Sequence, residues 1–356
     1  MDELELMMKE LTDAIGVPGY EEEAAGVMEK YLAGLGEISH DKLGSLICKK
    51  VGKEGGPSVM IAAHMDEVGF MVKQLTSDGF IKFLPLGGWW GHVALAQRVV
   101  VCTSKGNFIG IIGSKPPHEL QDEEKKKVLE FKDMFIDVGA TSYFDVKKRL
   151  GVKPGDPIVP YSPFTVMGND RLYMSKAWDD RVGCAAIVEV FRRLKKVRHP
   201  NVVYGVGTVQ EEVGLRGAQT SVSAVKPDVG FAVDVSIAHD IPGGAEGREE
   251  KIGAGAAILV YDGSMIPNRR LRDLVVKVAE TKGITHHFAY VERGGTDSGK
   301  IHLYDSGVPT LSIGIPTRYI HSHTAILDRK DLEAVVALVT EVVRSLDART
   351  VAKLTR

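Results

Sequence analysis

The stretch that decides the reading is Val202-Val203-Tyr204-Gly205-Val206-Gly207-Thr208-Val209-Gln210-Glu211-Glu212-Val213-Gly214. Val202 to Val209 reads as a buried strand, and it delivers two adjacent carboxylates to its carboxyl end. Burying that pair without partners is costly or drives their pKa values up until they neutralise, so the pair implies cations, a proton-transfer role, or both. Three other strand ends carry similar groups: His64 and Asp66 after Val59 to Ala63, Asp234 after Phe231-Ala232-Val233, and Asp179 within Ala177-Trp178-Asp179-Asp180-Arg181. Together they read as a metal site.

Outward from that strand, helical periodicity and short apolar runs alternate. Helices are expected over 181–196, 217–225, 269–282 and 329–346, and strands over 202–209, 229–233, 256–261, 287–291 and 310–313. This order predicts an α/β fold with a central, mostly parallel sheet flanked by helices. Upstream, helices over 4–15 and 21–35 are separated by Gly16-Val17-Pro18-Gly19, and strands over 46–50 and 59–63 supply the missing part of the same sheet. Between 70 and 165 the pattern changes to short strands (70–74, 80–84, 98–103, 108–112, 134–138) with frequent Gly and Pro, which reads as an all-β insertion. The expected division is therefore a catalytic α/β domain over 1–69 and 166–356, with an inserted β-rich domain over 70–165.

The chain has 356 residues, 44% hydrophobic and 26% charged, which suits a globular protein of two domains or one with a large insertion. A formal net charge of −2 gives no electrostatic reason to expect nucleic acid or an anionic membrane as partner. Cys48, Cys102 and Cys184 lack Cys-x-x-Cys spacing, which argues against a disulfide scaffold or a thiolate zinc site and favours a reducing compartment. The first residues are acidic and helical rather than basic then apolar, and no uninterrupted apolar run reaches about 18 residues. The expectation is a cytoplasmic protein without a membrane span.

In an open α/β sheet, ligands bind beyond the carboxyl ends of the strands, which is where these candidates fall. His64 and Asp66 share a face at period 2, so the carboxylate is expected to orient the imidazole or to share its site. Asp179 and Asp180 precede a helix, where an acid also favours the N-terminal dipole by about 0.3–1 kcal/mol; the two roles can coexist, one acid to each. A carboxylate can also bridge two cations, as in two-metal hydrolases. With Glu212, Asp234 and two histidines, the inventory suits two divalent cations of the zinc, cobalt or manganese kind. The second histidine comes from Arg318-Tyr319-Ile320-His321-Ser322-His323-Thr324, where His321 and His323 both qualify. Glu211 is the carboxylate left over, on the opposite face from Glu212 if the backbone stays extended, and free to take a proton from water. Arg293-Gly294-Gly295-Thr296-Asp297-Ser298-Gly299 reads as a substrate-contact loop centred on Gly295, Thr296 and Asp297, because glycine backbone can approach a bound chain closely.

His64-Met65-Asp66-Glu67, Trp178-Asp179-Asp180-Arg181, Glu211-Glu212-Val213-Gly214, Val233-Asp234, Gly294-Gly295-Thr296-Asp297 and Tyr319-Ile320-His321-Ser322, in this order, resemble the tetrahedral (TET) aminopeptidases. The likeness runs from Gly16-Val17-Pro18-Gly19-Tyr20-Glu21 to the C-terminal helix and includes Gly113-Ser114-Lys115-Pro116-Pro117-His118 in the insertion. The resemblance implies a co-catalytic dimetal exopeptidase that removes N-terminal residues from peptides. It implies that His64, Asp179 and Asp234 hold one cation, zinc or cobalt, and that Asp179, Glu212 and His321 hold the other, with Asp179 bridging. By the same resemblance Glu211 is the general base, Asp66 is the carboxylate behind His64, and the Asp179–Asp180 peptide bond is cis. It further implies that the insertion serves dimerisation, six dimers closing into a hollow tetrahedral dodecamer with the active sites facing inward. The pattern departs at His323-Thr324-Ala325, where the family commonly shows a proline and an acid; this sets His323 against His321, and the position after Arg-Tyr-Ile implies His321.

A different chemistry for the paired acids is glycoside hydrolysis, but adjacent Glu211 and Glu212 are poorly placed to flank a bond, and the histidines are left without a role. A non-catalytic scaffold fits less well, because no expected ligand or base is missing. Loops over 236–252 and 293–299 are expected to shape the specificity pocket. There Arg248 and Lys251 favour an acidic side chain while Glu246, Glu249 and Glu250 oppose it, so no preferred N-terminal residue is read.

Overall fold

Val59, Ile61 and Ala63 face one side of the strand Ser58–His64 and Met60 and Ala62 the other, and all five are buried. A strand covered on both faces belongs at the centre of a layered α/β structure. The computed structural model, which describes residues 1–355 apart from Lys196, Glu246 and Arg248, has this architecture. Four parallel strands form the centre of the sheet in the order Val202–Thr208, Ser58–His64, Val229–Ile237, Thr310–Arg318. Antiparallel strands extend both margins: Leu46–Val51 and Glu37–His40 on one side, and Ala325–Asp328, Leu172–Ser175 and Thr165–Val166 on the other. Ala256–Tyr261 pairs antiparallel with Thr310–Arg318 and carries His286–Tyr290 at its far edge.

Helices Glu3–Asp13, Glu22–Leu32, Trp178–Leu194 and Arg329–Ser345 cover one face, where Met7, Met28, Phe191 and Val339 join Ile61 and Phe231 in the main core. Helices Arg216–Val225 and Ser298–Ile301 cover the other, through Ala218, Val222 and Ile301. The helix expected over 181–196 is observed to Leu194, and Lys196 lies outside the described residues.

The insertion closes on itself. Strands Gly69–Leu75, Ile81–Leu86, Phe135–Asp137, Gly106–Gly113, Arg98–Thr103 and Pro157–Pro160, in that spatial order, form a six-stranded barrel. Its interior is filled by alternating side chains such as Phe70, Val72, Ile81, Phe83, Val99, Val101 and Ile158. The barrel leaves the sheet directly after the ligand-type residues His64, Asp66 and Glu67 and returns shortly before Asp179, so its base lies beside the carboxyl ends of the central strands. Cys48, Cys102 and Cys184 are free thiols, and no described helix is long and apolar enough to cross a membrane.

Candidate active site

Parallel pairing puts His64 and Thr208 in register at the ends of adjacent strands, so the turn after Thr208 rises beside His64. That turn is not extended. Gln210 adopts φ +55°, and the Gly214 and Leu215 amides fold back onto the Glu211 carbonyl at 2.9 and 2.8 Å. The strand therefore ends at Thr208, and the alternation that puts Glu211 and Glu212 on opposite faces does not apply; both side chains line one cavity of about 650 Å³.

Buried carboxylates shape this turn. The Asp66 carboxylate accepts the Glu211 amide at 2.9 Å through Oδ1 and the Glu212 amide at 3.0 Å through Oδ2. Glu21 Oε1 accepts the preceding amide, that of Gln210, at 3.0 Å and also the Gly19 amide at 2.8 Å. Three consecutive N–H groups are thus held by two carboxylates, in charge-assisted bonds stronger than neutral ones. The expected contact of Asp66 with His64 is made differently: the Asp66 backbone carbonyl accepts His64 Nδ1–H at 3.0 Å, while its carboxylate is committed to the glutamate turn and lies 3.7 Å from that nitrogen.

Asp179 stands between two imidazoles. Its Oδ1 is 3.0 Å from His64 Nε2, and its Oδ2 is 3.4 Å from His321 Nε2, which is itself 3.7 Å from Glu212 Oε2. Asp234 and Glu211 each bring an oxygen to 4.0 Å from His64 Nε2. The peptide bond between Asp179 and Asp180 is cis. Asp180 does other work: its oxygens accept the His64 amide at 3.1 Å and the Gly183 amide at 3.0 Å, fixing the backbone behind the site. Behind these turns, the buried Arg181 guanidinium bonds the Leu11 carbonyl at 2.6 Å and the Gly16 carbonyl at 3.2 Å, while Lys176 pairs with Glu67 at 2.6 Å. The N-terminal helices are thereby tied to the two turns that carry His64 and Asp179.

His321 is positioned from the barrel. Its Nδ1–H donates to the Gly88 carbonyl at 2.7 Å. A side chain at Gly88 would meet His321 Nδ1 at 3.0 Å, and one at Gly87, where φ is +82°, would meet Glu212 Oε2 at 3.0 Å. Two glycines therefore let the loop leaving the barrel approach the site. His323 turns away: its Nε2–H donates to the Arg98 carbonyl at 2.9 Å, and burial holds its pKa down at about 4. Of the two late histidines, His321 faces Asp179.

Gly294, Gly295 and Thr296 line the cavity together with Val235, Ile237 and Ser264. Asp297 does not. It is buried beneath the loop, where Thr208 Oγ1 donates to it, and so supports the loop rather than presenting a carboxylate to a ligand. Thr296 Oγ1 donates to Asp262 at 3.1 Å, so its hydroxyl also serves the loop. Of the charged residues in the neighbouring loop, Glu246 and Arg248 lie outside the described residues.

The electrostatics call for positive charge. Burial, reinforced by the Asp179 carboxylate in each case, pushes Glu212 up to about 8 and Asp234 up to about 7. Burial also pushes Glu211 well above the usual carboxylate range. Burial would raise Asp179 as well, but its contacts with His321 and His64 hold it below that range. His321 is held at about 10 against the effect of burial by Asp179 and Glu212. Glu212 Oε1 is buried without a hydrogen-bond partner. Both imidazoles commit their Nδ1 protons to carbonyls, which leaves each Nε2 as the ligating nitrogen and aims it at a carboxylate, the arrangement a divalent cation requires. His64, Asp179 and Glu212 bring ligand atoms within 4.8 Å of one another, as do His64, Asp180 and Asp234. With both Asp180 oxygens taken by backbone amides, Asp179 is the better placed of that pair. The donor set fits divalent cations.

Glu21, Gly88 and the turn at Gln210 are the parts of the site that sequence reasoning did not single out. Glu21 carries one visible signal, an acid following Gly-Val-Pro-Gly-Tyr, but its partner is 189 residues away.

The chain is similar over nearly its whole length to known aminopeptidases. The TET aminopeptidase of the marine sediment archaeon Thaumarchaeota archaeon SCGC AB-539-E09 superposes with a TM-score of 0.97 at 46% identity, covering 100% of both chains. The TET1 peptidase of Pyrococcus horikoshii, which can assemble into a tetrahedron or a large octahedral shell, gives a TM-score of 0.85 at 31% identity over 97% of this chain and 100% of that one. A glutamyl aminopeptidase of Lactococcus lactis subsp. cremoris is 34% identical over 98% of each chain. A lysyl aminopeptidase of Pyrococcus furiosus is 31% identical over 96% of each. With residues 44–338 matching its profile and the site geometry at the sheet's carboxyl edge, the chain belongs to the M42 glutamyl aminopeptidase family.

Proposed function

We propose that the protein is a metal-dependent aminopeptidase that removes N-terminal residues from peptides, with two divalent cations, zinc or cobalt, and Glu211 as general base. The observation that carries this is the Asp179 carboxylate, with one oxygen toward His64 and the other toward His321. His64, Asp179 and Asp234 would hold one cation and Asp179, Glu212 and His321 the other. Bound there, the pair would supply Lewis acidity, polarising the scissile carbonyl and acidifying the attacking water. Glu211 takes the proton of that water and returns it to the leaving amine, one group serving as base and then as acid. Its burial disfavours the bare carboxylate and so favours taking up a proton from that water. Asp66 and Glu21 hold the amides of residues 210 to 212, and so fix where the Glu211 carboxylate stands. The loop through Gly295 and Thr296 walls the side of the cavity that receives substrate, and Asp297 supports it from below.

The barrel is read as a dimerisation domain, and the likeness to a relative that forms a tetrahedron supports assembly of dimers into a dodecamer. A cytoplasmic location is part of the same reading. Glutamyl and lysyl relatives match over nearly the whole chain, so kinship alone assigns no preferred N-terminal residue. The test is metal content measured alongside hydrolysis of aminoacyl substrates with zinc, with cobalt and with chelator. Turnover that persists in metal-free protein contradicts the reading.

Two further outcomes follow. Glu21→Ala leaves two amides without their acceptor, so it should cost about 1–3 kcal/mol of stability. It should also lower kcat more than it raises KM, read by denaturant melts and steady-state kinetics; an unchanged kcat would separate Glu21 from the placing of Glu211.

The second concerns pH. In the absence of cations, Glu212 at about 8, Asp234 at about 7 and His321 at about 10 all lie above their unfolded values of about 4.3, 3.9 and 6.5. The folded state then binds more protons than the unfolded, so the stability these groups contribute is complete below their unfolded pKa values, falls progressively as pH rises above them, and is gone once pH has passed the folded values of about 7, 8 and 10. The melting temperature of chelated protein should fall between pH 6 and 9, and zinc should raise it more at the upper end because it replaces those protons. A zinc-induced shift independent of pH contradicts this.

A further inference from the structure

A second cavity, of about 670 Å³, lies between the barrel and the sheet and adjoins the candidate active site, with Gly88, Ile320 and His321 lining both. Its wall is aromatic. Trp89 forms a fixed part: its Nε1–H donates to the Gly69 carbonyl at 3.1 Å, its ring stacks on Phe70 at 4.7 Å, and it meets His323 edge-on at 5.6 Å. Around the opening stand Trp90, Tyr161 and Tyr319, which are 60%, 43% and 47% exposed. Three large aromatic side chains left in water around one concavity mark a binding surface rather than scattered exposure. Among the described residues, no Asp, Glu, Lys or Arg lines this cavity, whereas acids crowd the neighbouring one.

From this continuity we infer that the groove receives the part of the peptide that follows the scissile bond, and that it selects aromatic or large apolar side chains in the first residues of the leaving chain. This rests on the aminopeptidase reading. An N-terminal amine is drawn to the acid cluster, while the remainder of the chain crosses Gly88 and His321 and reaches a neutral wall. There Trp90 and Tyr161 cover apolar side chains and gain area burial without needing a charged partner. The polar edges of Gln97 and Ser162 leave hydrogen-bonding groups for the extended backbone.

The experiment compares kcat/KM for leucinamide, Leu-Gly-Gly-Gly and Leu-Phe-Gly-Gly on the zinc- or cobalt-loaded full chain and on the double variant Trp90→Ala/Tyr161→Ala, with the oligomeric mass of both measured. The wild-type chain should prefer the phenylalanine peptide over the glycine peptide by about tenfold or more, the scale of an aromatic side chain entering an apolar pocket. The double variant should reduce that ratio to about twofold or less. If the wild-type cleaves leucinamide and both peptides without preference, the groove assignment fails while the aminopeptidase reading stands. A changed oligomeric mass with the preference intact would assign the surface to a neighbouring copy and overturn the inference. Glutamyl and lysyl relatives both match nearly the whole chain, so the same series is run with Glu and with Lys in place of the N-terminal leucine, and failure to cleave all of them overturns the aminopeptidase reading itself.

Discussion

Glu211→Gln should lower turnover by about 10²–10⁴ while both cations remain bound. The substitution keeps the size of the side chain and its attachment to the turn, because the contacts that hold this turn are made by backbone amides and the carboxylates of Asp66 and Glu21. What it removes is the ability to accept a proton. In the proposed ligand set, His64, Asp179, Asp234, Glu212 and His321 are all retained, so metal content should stay at two per chain. KM should change little, since the loss falls on the chemical step. Near-normal turnover in this variant would remove Glu211 from the mechanism, and a loss of metal would reassign it as a ligand.

Asp179→Ala should have the opposite signature: both cations weaken together, and kcat/KM falls by about 10³ or more, the several kcal/mol that metal-assisted stabilisation supplies. Among the described residues, no other carboxylate comes within 4.0 Å of both imidazoles; the Asp179 oxygens lie 3.0 Å from His64 Nε2 and 3.4 Å from His321 Nε2. Without it, the His64–Asp234 pair and the His321–Glu212 pair are left as separate two-residue groups, too few to hold a cation firmly. Metal titration is the discriminating readout. If one cation is still held at wild-type affinity, Asp179 serves a single site and the bridging role fails.

Much of this site is legible in the sequence because parallel sheets put functional groups at one edge. His64, Asp179, Glu211, Glu212 and Asp234 are all read from the carboxyl ends of apolar runs, or from the turn before a helix, and the structure gathers their side chains around one cavity. The four central strands are visible for the same reason, since burial on both faces writes a continuous apolar run. At the margins Leu46–Val51 is legible, but the shorter strands are not. Thr165–Val166, Leu172–Ser175 and Ala325–Asp328 are short, and their pairing is set by neighbours distant in sequence. Barrel closure likewise depends on how six short strands meet, which local pattern does not encode.

Within the site, the misses are backbone and long-range effects. The positive φ of Gln210 breaks the alternation assumed for Glu211 and Glu212. Gly88 and His321 lie 233 residues apart, and only folding shows that the barrel carbonyl orients that imidazole and so separates His321 from His323. Asp66 has the expected location, but its carboxylate reaches the glutamate turn because that turn curls over it. Asp297 belongs to the right loop, yet burial directs it to Thr208 rather than to the cavity.

The most direct test of the central claim is mass spectrometry of a defined decapeptide with a free N-terminus, incubated with chelator-stripped protein before and after reloading with zinc or cobalt. The account predicts no cleavage by the stripped protein and, after reloading, products shortened one residue at a time from the N-terminal end. Cleavage that persists in the stripped protein, or internal cuts after reloading, would contradict it.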